Sequence, residues 1–385
     1  MTAISGLINS LQLQLATLSE QNEVRTLIES LITEARLHHN NAWAGHMTPT
    51  IAPPALLGQL LAGLHNGNLL SSELYPHLAT IEQQLLDWFC HHFQHSFAHF
   101  THGSSYANLD ALWQAREHKS NSSNIVYASQ AAHYSVHKAC QILGLEFRAI
   151  PTNEQGQMLT DNLRIACQQA SPIAIVATAG TSSCGAIDPL MPCSEIAQEF
   201  NAWLHIDAAW GGALKFSPKY QHHLLGSGLA DSICFDPHKA LGQPRPCSLL
   251  FYQRPLEANA DIEVDYLTLP PKQTLAGSYG GELFLPLWCS LMISGEDVLT
   301  TQLESRLQQA EQFYLGLKQA TDWWLLHSPT GIVCFIPSTP IDLSKMLSQG
   351  VISQAKVNGQ DVYRAVFANG ACQAKELLTV LEPLF

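Results

Sequence analysis

Positive charge is scarce in this chain: 19 lysines and arginines stand against 32 aspartates and glutamates, a formal net charge of −13 over 385 residues. A surface of that sign repels phosphate backbones and anionic lipid, so neither nucleic acid nor a membrane surface is expected as a partner. Long apolar runs are missing too, and no segment approaches the roughly 20 residues that a membrane-crossing helix needs. Arg25 is the first basic residue and no long uncharged apolar run precedes it, so no secretory leader is expected. The ten cysteines, Cys90 to Cys372, include no C-x-x-C pair, which removes the signal for a zinc knuckle or a disulfide framework. They read as reduced thiols of a cytoplasmic protein. Repeats and low-complexity tracts are absent as well.

What is present is apolar. Hydrophobic residues make up 46% of the chain and charged ones 13%, enough for a sizeable core and far from a disordered composition. The length suits a large domain joined to a smaller one. Eighteen histidines are many, and His91, His92, His95 and His99 cluster. On one continuous helix, His91, His95 and His99 would share a face and offer a metal site. The stretch IEQQLLDWFCHHFQ instead puts Ile81, Leu85, Trp88, Phe89 and Phe93 on a buried face, with the helix ending near His95. No carboxylate or cysteine completes a ligand set, so no metal is expected.

From residue 124 to 253 strand and helix signals alternate. The runs NIVYAS (124–129), EFRAIP (146–151), IAIVATA (173–179), WLHIDA (203–208), DSICFD (231–236) and SLLFYQ (248–253) are short, apolar and rich in β-branched residues. Helical stretches such as YSVHKACQIL and LMPCSEIAQEF separate most of them. Strands apolar on both faces and divided by helices mean an α/β fold with a mostly parallel sheet covered on both sides, and ligands collect at the carboxyl ends of such strands. Residues 1–70 read as a helical segment interrupted by GHMTPTIAPPALLG, residues 71–295 as the large domain, and residues 296–385 as a long amphipathic linking helix and a small C-terminal α+β domain.

Chemistry-bearing residues stand near those strand ends. The strand 231–236 ends in Asp236-Pro237-His238-Lys239. Such a pair is either an ordinary solvated loop or a lysine held partly out of water, able to form a Schiff base with an aldehyde. Gly103-Ser104-Ser105 precede a helical pattern, so their N–H groups and hydroxyls can cradle an anion at the positive end of a helix, although ordinary helix caps look the same. Asp207 ends a strand, followed by Ala208 and Ala209, small enough to leave room for a flat ring. His133 stands just before a helix, and Thr181 and Ser182 lie in a turn after another strand. Together these are the parts of a pyridoxal 5'-phosphate site: Lys239 for the aldehyde, Asp207 for the pyridine nitrogen, His133 for the ring face, Gly103 to Ser105 with His238 for the phosphate. Taken singly, Asp207 reads equally as a cap, His133 as a core histidine, and Arg364 as either a substrate-carboxylate ligand or a surface ion-pair partner.

The motifs THGSSYANLDAL, AHYS, GTSSCGAIDP, HIDAAWGG and DPHK, in this order and spacing, resemble those of the group II pyridoxal-phosphate-dependent amino-acid decarboxylases, over about residues 40–320. The resemblance implies the fold-type I architecture, a homodimer with active sites at the subunit interface, and loss of an L-amino acid's α-carboxylate as carbon dioxide. A lyase or transaminase on the same scaffold is the alternative. Two departures stand out. Serine replaces the second glycine of the family's first loop at Ser104, and Tyr279 stands where relatives carry an arginine in T-L-A-G-S-R-x-G. If that arginine meets a carboxylate or phosphate, Tyr279 leaves the contact to Arg364 or Arg245, or marks a cofactor-binding paralogue with little turnover. The stretch between Tyr252 and Gln273 is also too short for the long mobile loop of the aromatic amino acid enzymes.

Overall fold

The computed structural model describes residues 9, 22–36, 40–119, 123–256, 265, 274–275 and 277–384. Its centre is a seven-stranded sheet. The strands are β1 (Phe97–Thr101), β2 (Ile125–Ser129), β3 (Glu146–Ile150), β4 (Ala174–Thr178), β5 (Trp203–Asp207), β6 (Ser232–Phe235) and β7 (Ser248–Tyr252), in the spatial order β1-β7-β6-β5-β4-β2-β3. Pairing is parallel from β6 through β5, β4 and β2 to β3, and β7 alone runs antiparallel, wedged between β1 and β6. All six strand runs read from the sequence are present. The edge strand β1 was not foreseen, because FAHFT is short and carries a histidine where a strand reader looks for alternation.

Continuous apolar runs appear because both faces of the sheet are covered. Ile175, Ala177, Leu204, Ile206, Phe235 and Phe251 point to one face, where Phe89 and Phe93 of the helix Pro76–Phe93 pack. Their neighbours Ala174, Val176, Cys234 and Leu250 point to the other, against Ala107, Ala111 and Leu112 of the helix Ser104–His118. The period-two alternation of side chains thus feeds two cores from one strand. The helix bearing Phe89 and Phe93 ends at Phe93 with Gln94 as its cap. His95 therefore lies beyond the helix and His99 lies in β1, so the three histidines share no face. Among the described residues, no group of three metal-ligating side chains is assembled.

A 25-residue helix, Glu296–Ala320, leads to a second, antiparallel sheet of β8 (Trp324–Ser328), β9 (Ile332–Ile336), β10 (Ser353–Val357) and β11 (Gln360–Val366), ordered β10-β11-β9-β8. Phe313 and Leu317 of that helix meet Val333, Phe335 and Phe367 in a separate core. The proline-interrupted N-terminal segment crosses to this sheet, with Ala44 N–H on Val351 O at 3.0 Å and Val366 N–H on Ala44 O at 2.7 Å. Two helices, Asn22–Arg36 and Pro53–His65, leave apolar stripes uncovered: Val24, Leu27, Leu31 and Ile32 on the first, Leu56, Leu57, Leu60 and Leu64 on the second. Among the described residues no helix is long and apolar enough to cross a membrane.

The turn after β4 is built around Asp188. Its carboxylate accepts Met158 N–H at 2.7 Å and Thr178 N–H at 2.8 Å, and its own N–H returns to Thr178 O at 2.9 Å. Burial lifts its pKa to about 6 despite those two donors. Gly180 in the same turn has φ of 101°, and a Cβ there would lie 2.8 Å from Gly211 N, so no other residue fits. Asp188→Ala is expected to orphan two buried N–H groups at about 1–3 kcal/mol each. Urea unfolding should show a lower midpoint with unchanged slope, and an unchanged midpoint rejects this role.

Candidate active site

A cleft of about 390 Å³ opens at the carboxyl ends of β4, β5 and β6, where the topology directs ligands. β1 runs parallel to β6 two places away, so the helix that follows β1 delivers its N-terminus to the same edge. Gly103, Ser104, Ser105, His133, Asp207, Ala209, His238 and Lys239 all line this cleft, although they come from four separate stretches of chain. Tyr106 and Ala107 N–H groups are taken by Gly103 O. That leaves the Ser104 and Ser105 N–H groups open to the cleft as anion donors.

One wall is organised by Asp236, a buried carboxylate that sequence reading passed over. Its Oδ1 accepts the hydroxyls of Ser104 at 2.6 Å and Ser248 at 2.5 Å, and its Oδ2 lies 2.9 Å from Lys239 Nζ. Burial alone would raise the pKa of Asp236, but Lys239, His238 and the two hydroxyls overcome it and hold the carboxyl below its ordinary value. Burial likewise pulls the Lys239 ammonium down, and Asp236 with Asp207 outweighs it, so the net shift is upward. Lys239 in the free cleft is therefore a charged, ion-paired amine rather than the neutral nucleophile that partial burial by itself suggests. His238 donates Nδ1–H to Cys247 O at 2.8 Å, and burial lowers its pKa.

The floor is Asp207. Its Oδ2 accepts Asn108 Nδ2–H at 2.9 Å, and its Oδ1 accepts Ala209 N–H at 3.2 Å. Asn108 also bonds Ser135 and His205, both at 2.9 Å. Thr178 stands directly opposite Asp207 in the β4–β5 register, and its Oγ1 is buried with no hydrogen-bond partner among the described residues. A buried, orphaned hydroxyl on the wall of a cleft is costly unless something in the cleft meets it. Thr181, the expected ligand from this turn, does not line the cleft: it accepts Ala186 N–H at 3.0 Å and sits 3.4 Å from Cys184 Sγ, holding its own loop together. Gly180, Ser182 and Thr178 line the cleft instead. Open amides at a helix N-terminus, a carboxylate on the floor, an amine on the wall and an orphaned hydroxyl suit the phosphate, ring nitrogen, aldehyde and polar ring substituent of pyridoxal phosphate. The residues fit that group.

Two cations stand at the margins. Arg245 lines the cleft and, among the described residues, its one hydrogen bond goes to Met47 O at 3.4 Å. Arg364 donates to Ser353 Oγ at 2.8 Å and to Ser182 O, behind the cleft wall, with no carboxylate partner among the described residues. Tyr279 is 8% exposed, belongs to the main core and does not line the cleft, so the ring itself is packed and takes no part in this site. Burial, with Glu82 accepting its hydroxyl, pushes the phenol well above its ordinary value. An aromatic ring between two glycine-rich turns packs, and only an alignment of neighbours in space tells packing from ligation. The short loop expected before Gln273 lies outside the described residues from 257 to 273, apart from Asp265.

Comparison with known proteins agrees with this chemistry. Residues 13–337 match the family described as the pyridoxal-dependent decarboxylase conserved domain. The chain is 29% identical over 359 residues to aspartate 1-decarboxylase of Aliivibrio fischeri, covering 79% of this chain and 64% of that protein. It is 33% identical over 235 residues to L-2,4-diaminobutyrate decarboxylase of Rhizobium meliloti, covering 56% of this chain and 47% of that protein. The chain thus spans less than two thirds of the length of these curated relatives. Among solved structures it resembles tryptophan decarboxylase of Catharanthus roseus in complex with L-tryptophan (TM-score 0.79, 22% identity, covering 90% of this chain and 84% of that one). It also resembles a sphingosine-1-phosphate lyase of Burkholderia pseudomallei (TM-score 0.80, 19% identity, covering 94% and 90%). At these identities the likeness establishes the fold.

The Asp236–Lys239 pair makes a prediction that needs no ligand. Competitive acylation across pH, read by mass spectrometry, should show Lys239 deprotonating above the ordinary lysine value of 10.5. In Asp236→Asn the main opposing charge to desolvation is gone, so the midpoint should fall and Lys239 should react faster at neutral pH. An unchanged profile rejects the pairing.

Proposed function

Because the chain belongs to the pyridoxal-dependent decarboxylase family, we propose that it binds pyridoxal 5'-phosphate in this cleft and removes the α-carboxylate of an L-amino acid as carbon dioxide. The observation that carries the reading is the convergence of Lys239, Asp207, His133 and the orphaned Thr178 hydroxyl on one cleft. Lys239 would hold the cofactor at its aldehyde, Asp207 at its ring nitrogen, His133 and Ala209 at its ring, and Gly103 to Ser105 with His238 at its phosphate. When bound, the group supplies a protonated ring that accepts the electron pair left by the departing carboxylate.

The chain's own residues supply the rest. Asp236 and Asp207 favour the ammonium form of Lys239, so Nζ carries a proton into the cleft that it can give to the substrate's Cα. Asn108 and Ala209 N–H hold the Asp207 carboxylate in one orientation. Arg245, which lines the cleft without a carboxylate partner among the described residues, is the candidate to receive a substrate carboxylate, whereas Arg364 donates to Ser353 and Ser182 O and does not line it. The alternative of a cofactor-binding paralogue with little turnover, which rests on tyrosine standing for arginine at position 279, is separated from this reading by carbon dioxide release.

The same reading includes a homodimer, a cytoplasmic location, and a division into a cofactor-binding unit over 71–295 and a smaller unit over 296–385. Support for the dimer comes from the leucine stripe on Pro53–His65 and the apolar stripe on Asn22–Arg36. Stripes of that kind on a chain with its own closed cores call for a cover, and a second copy provides one.

Two measurements test the proposal. Borohydride reduction of the yellow protein should fix the pyridoxyl group on a peptide containing Lys239, and carbon dioxide should be released from at least one member of a panel of amino acids. Label on Lys138 or Lys215, or no release across the panel, rejects the assignment or the reaction respectively. Asp207→Asn should keep cofactor binding, since the phosphate donors and Lys239 remain. Turnover should fall by on the order of a hundredfold or more, the scale of losing one electrostatic stabiliser. Near-normal turnover in that variant rejects the role of Asp207.

A further inference from the structure

One buried side chain, Asn108, touches both the Asp207 floor and the serine that holds His133. The bonds around it can be followed donor by donor. The Trp203 indole N–H can only donate, and it reaches Ser232 Oγ at 2.8 Å. The Ser232 proton is then directed to His205 Nδ1 at 2.9 Å. His205 is fully buried, and burial holds its pKa near 4, so the ring is neutral and its one proton sits on Nε2. Nε2–H donates to Asn108 Oδ1 at 2.9 Å, which fixes the amide. Its Nδ2 hydrogens go to Asp207 Oδ2 and Ser135 Oγ, each at 2.9 Å.

The far end of the chain is equally constrained. Ser135, having accepted from Asn108, donates its hydroxyl to His133 Nδ1 at 2.7 Å. The Ser135 backbone N–H, which has no other role open to it, points at the same atom at 3.3 Å. Nδ1 therefore carries no proton, and the proton of the neutral ring is on Nε2, which takes no acceptor among the described residues. Every step runs in one direction from Trp203, which can only donate, to His133, where the Ser135 hydroxyl makes the short contact and the backbone N–H a longer one.

We propose that Asn108 is a positioning residue whose amide, oriented by His205, sets the Asp207 carboxylate and holds His133 in the Nε2–H tautomer, so that His133 presents the cleft with a hydrogen-bond donor rather than a base. A carboxylate oxygen is the acceptor this suits. That use rests on the decarboxylase reading; the tautomer does not.

The test uses the full-length protein without cofactor, labelled with ¹⁵N-histidine, with the His133 signals assigned by their loss in His133→Gln. At neutral pH the expected signature is an unprotonated Nδ1 and a protonated Nε2. A proton on Nδ1, an averaged pair or an imidazolium overturns the proposal. Ser135→Ala leaves only the longer backbone N–H contact on Nδ1 and Asn108→Ala frees the Ser135 hydroxyl to turn, so each should move the His133 signals part of the way towards an averaged pair, and Ser135→Thr should keep the wild-type pattern. Asn108→Ala should also weaken pyridoxal phosphate binding by about 10-fold, followed by absorbance. If Asn108→Ala does not fold, Ser135→Ala and Ser135→Thr decide alone, and an unmoved His133 in Ser135→Ala overturns the proposal. A protein with the tautomer but no carbon dioxide release sinks the decarboxylase reading only, and the reverse result sinks this inference only.

Discussion

A buried carboxylate has to be matched, and in this cleft the matching of Asp236 decides where everything else stands. Taking its charge out of water is repaid only if both oxygens are occupied. Two hydroxyls take one oxygen and Lys239 takes the other. Satisfying that single group ties the helix N-terminus at Ser104, the strand β7 at Ser248 and the lysine turn to one point. The amides left open at Ser104 and Ser105 face the cleft because the Ser104 hydroxyl is already committed elsewhere.

Asp207 is held by a different logic. It sits at the end of a strand buried on both faces, and its neighbours are fixed polar groups rather than a counter-ion. The two carboxylates therefore differ in kind: one is neutralised by a mobile amine that chemistry can remove, the other is oriented by an amide that it cannot. A cleft with one exchangeable and one permanent partner can change its charge at the lysine without disturbing its floor.

Much of this was legible in the sequence because burial on both faces writes strands as uninterrupted apolar runs. Lys239, Asp207 and His133 were readable for a related reason, since residues at strand ends have few structural duties and polar ones there invite a chemical account. The misreadings have physical causes. Thr181 and Thr178 are equally polar, and only the fold shows that Thr181 spends its hydroxyl on its own turn while Thr178 faces the cleft. Asp236 precedes a proline and reads as a turn starter, which hides its burial and its pairing with Lys239. At Tyr279 the sequence shows a charge absent, and only the fold shows that the ring in its place is packed in the core. The edge strand β1 has its only partner, β7, far away in sequence, which local periodicity does not record.

The strand β7, running against its neighbours between β1 and β6, has a consequence for how the molecule comes together. It places Ser104 beside Asp236 across 132 residues of chain, and Asn108 beside Asp207 across 99. Contacts of such span form only after the intervening chain has closed its loops, so they belong to the late part of folding. No fragment that lacks the completed sheet can hold the cleft. Whatever binds there selects the finished molecule from every partly folded one, and its binding free energy adds in full to the stability of the whole.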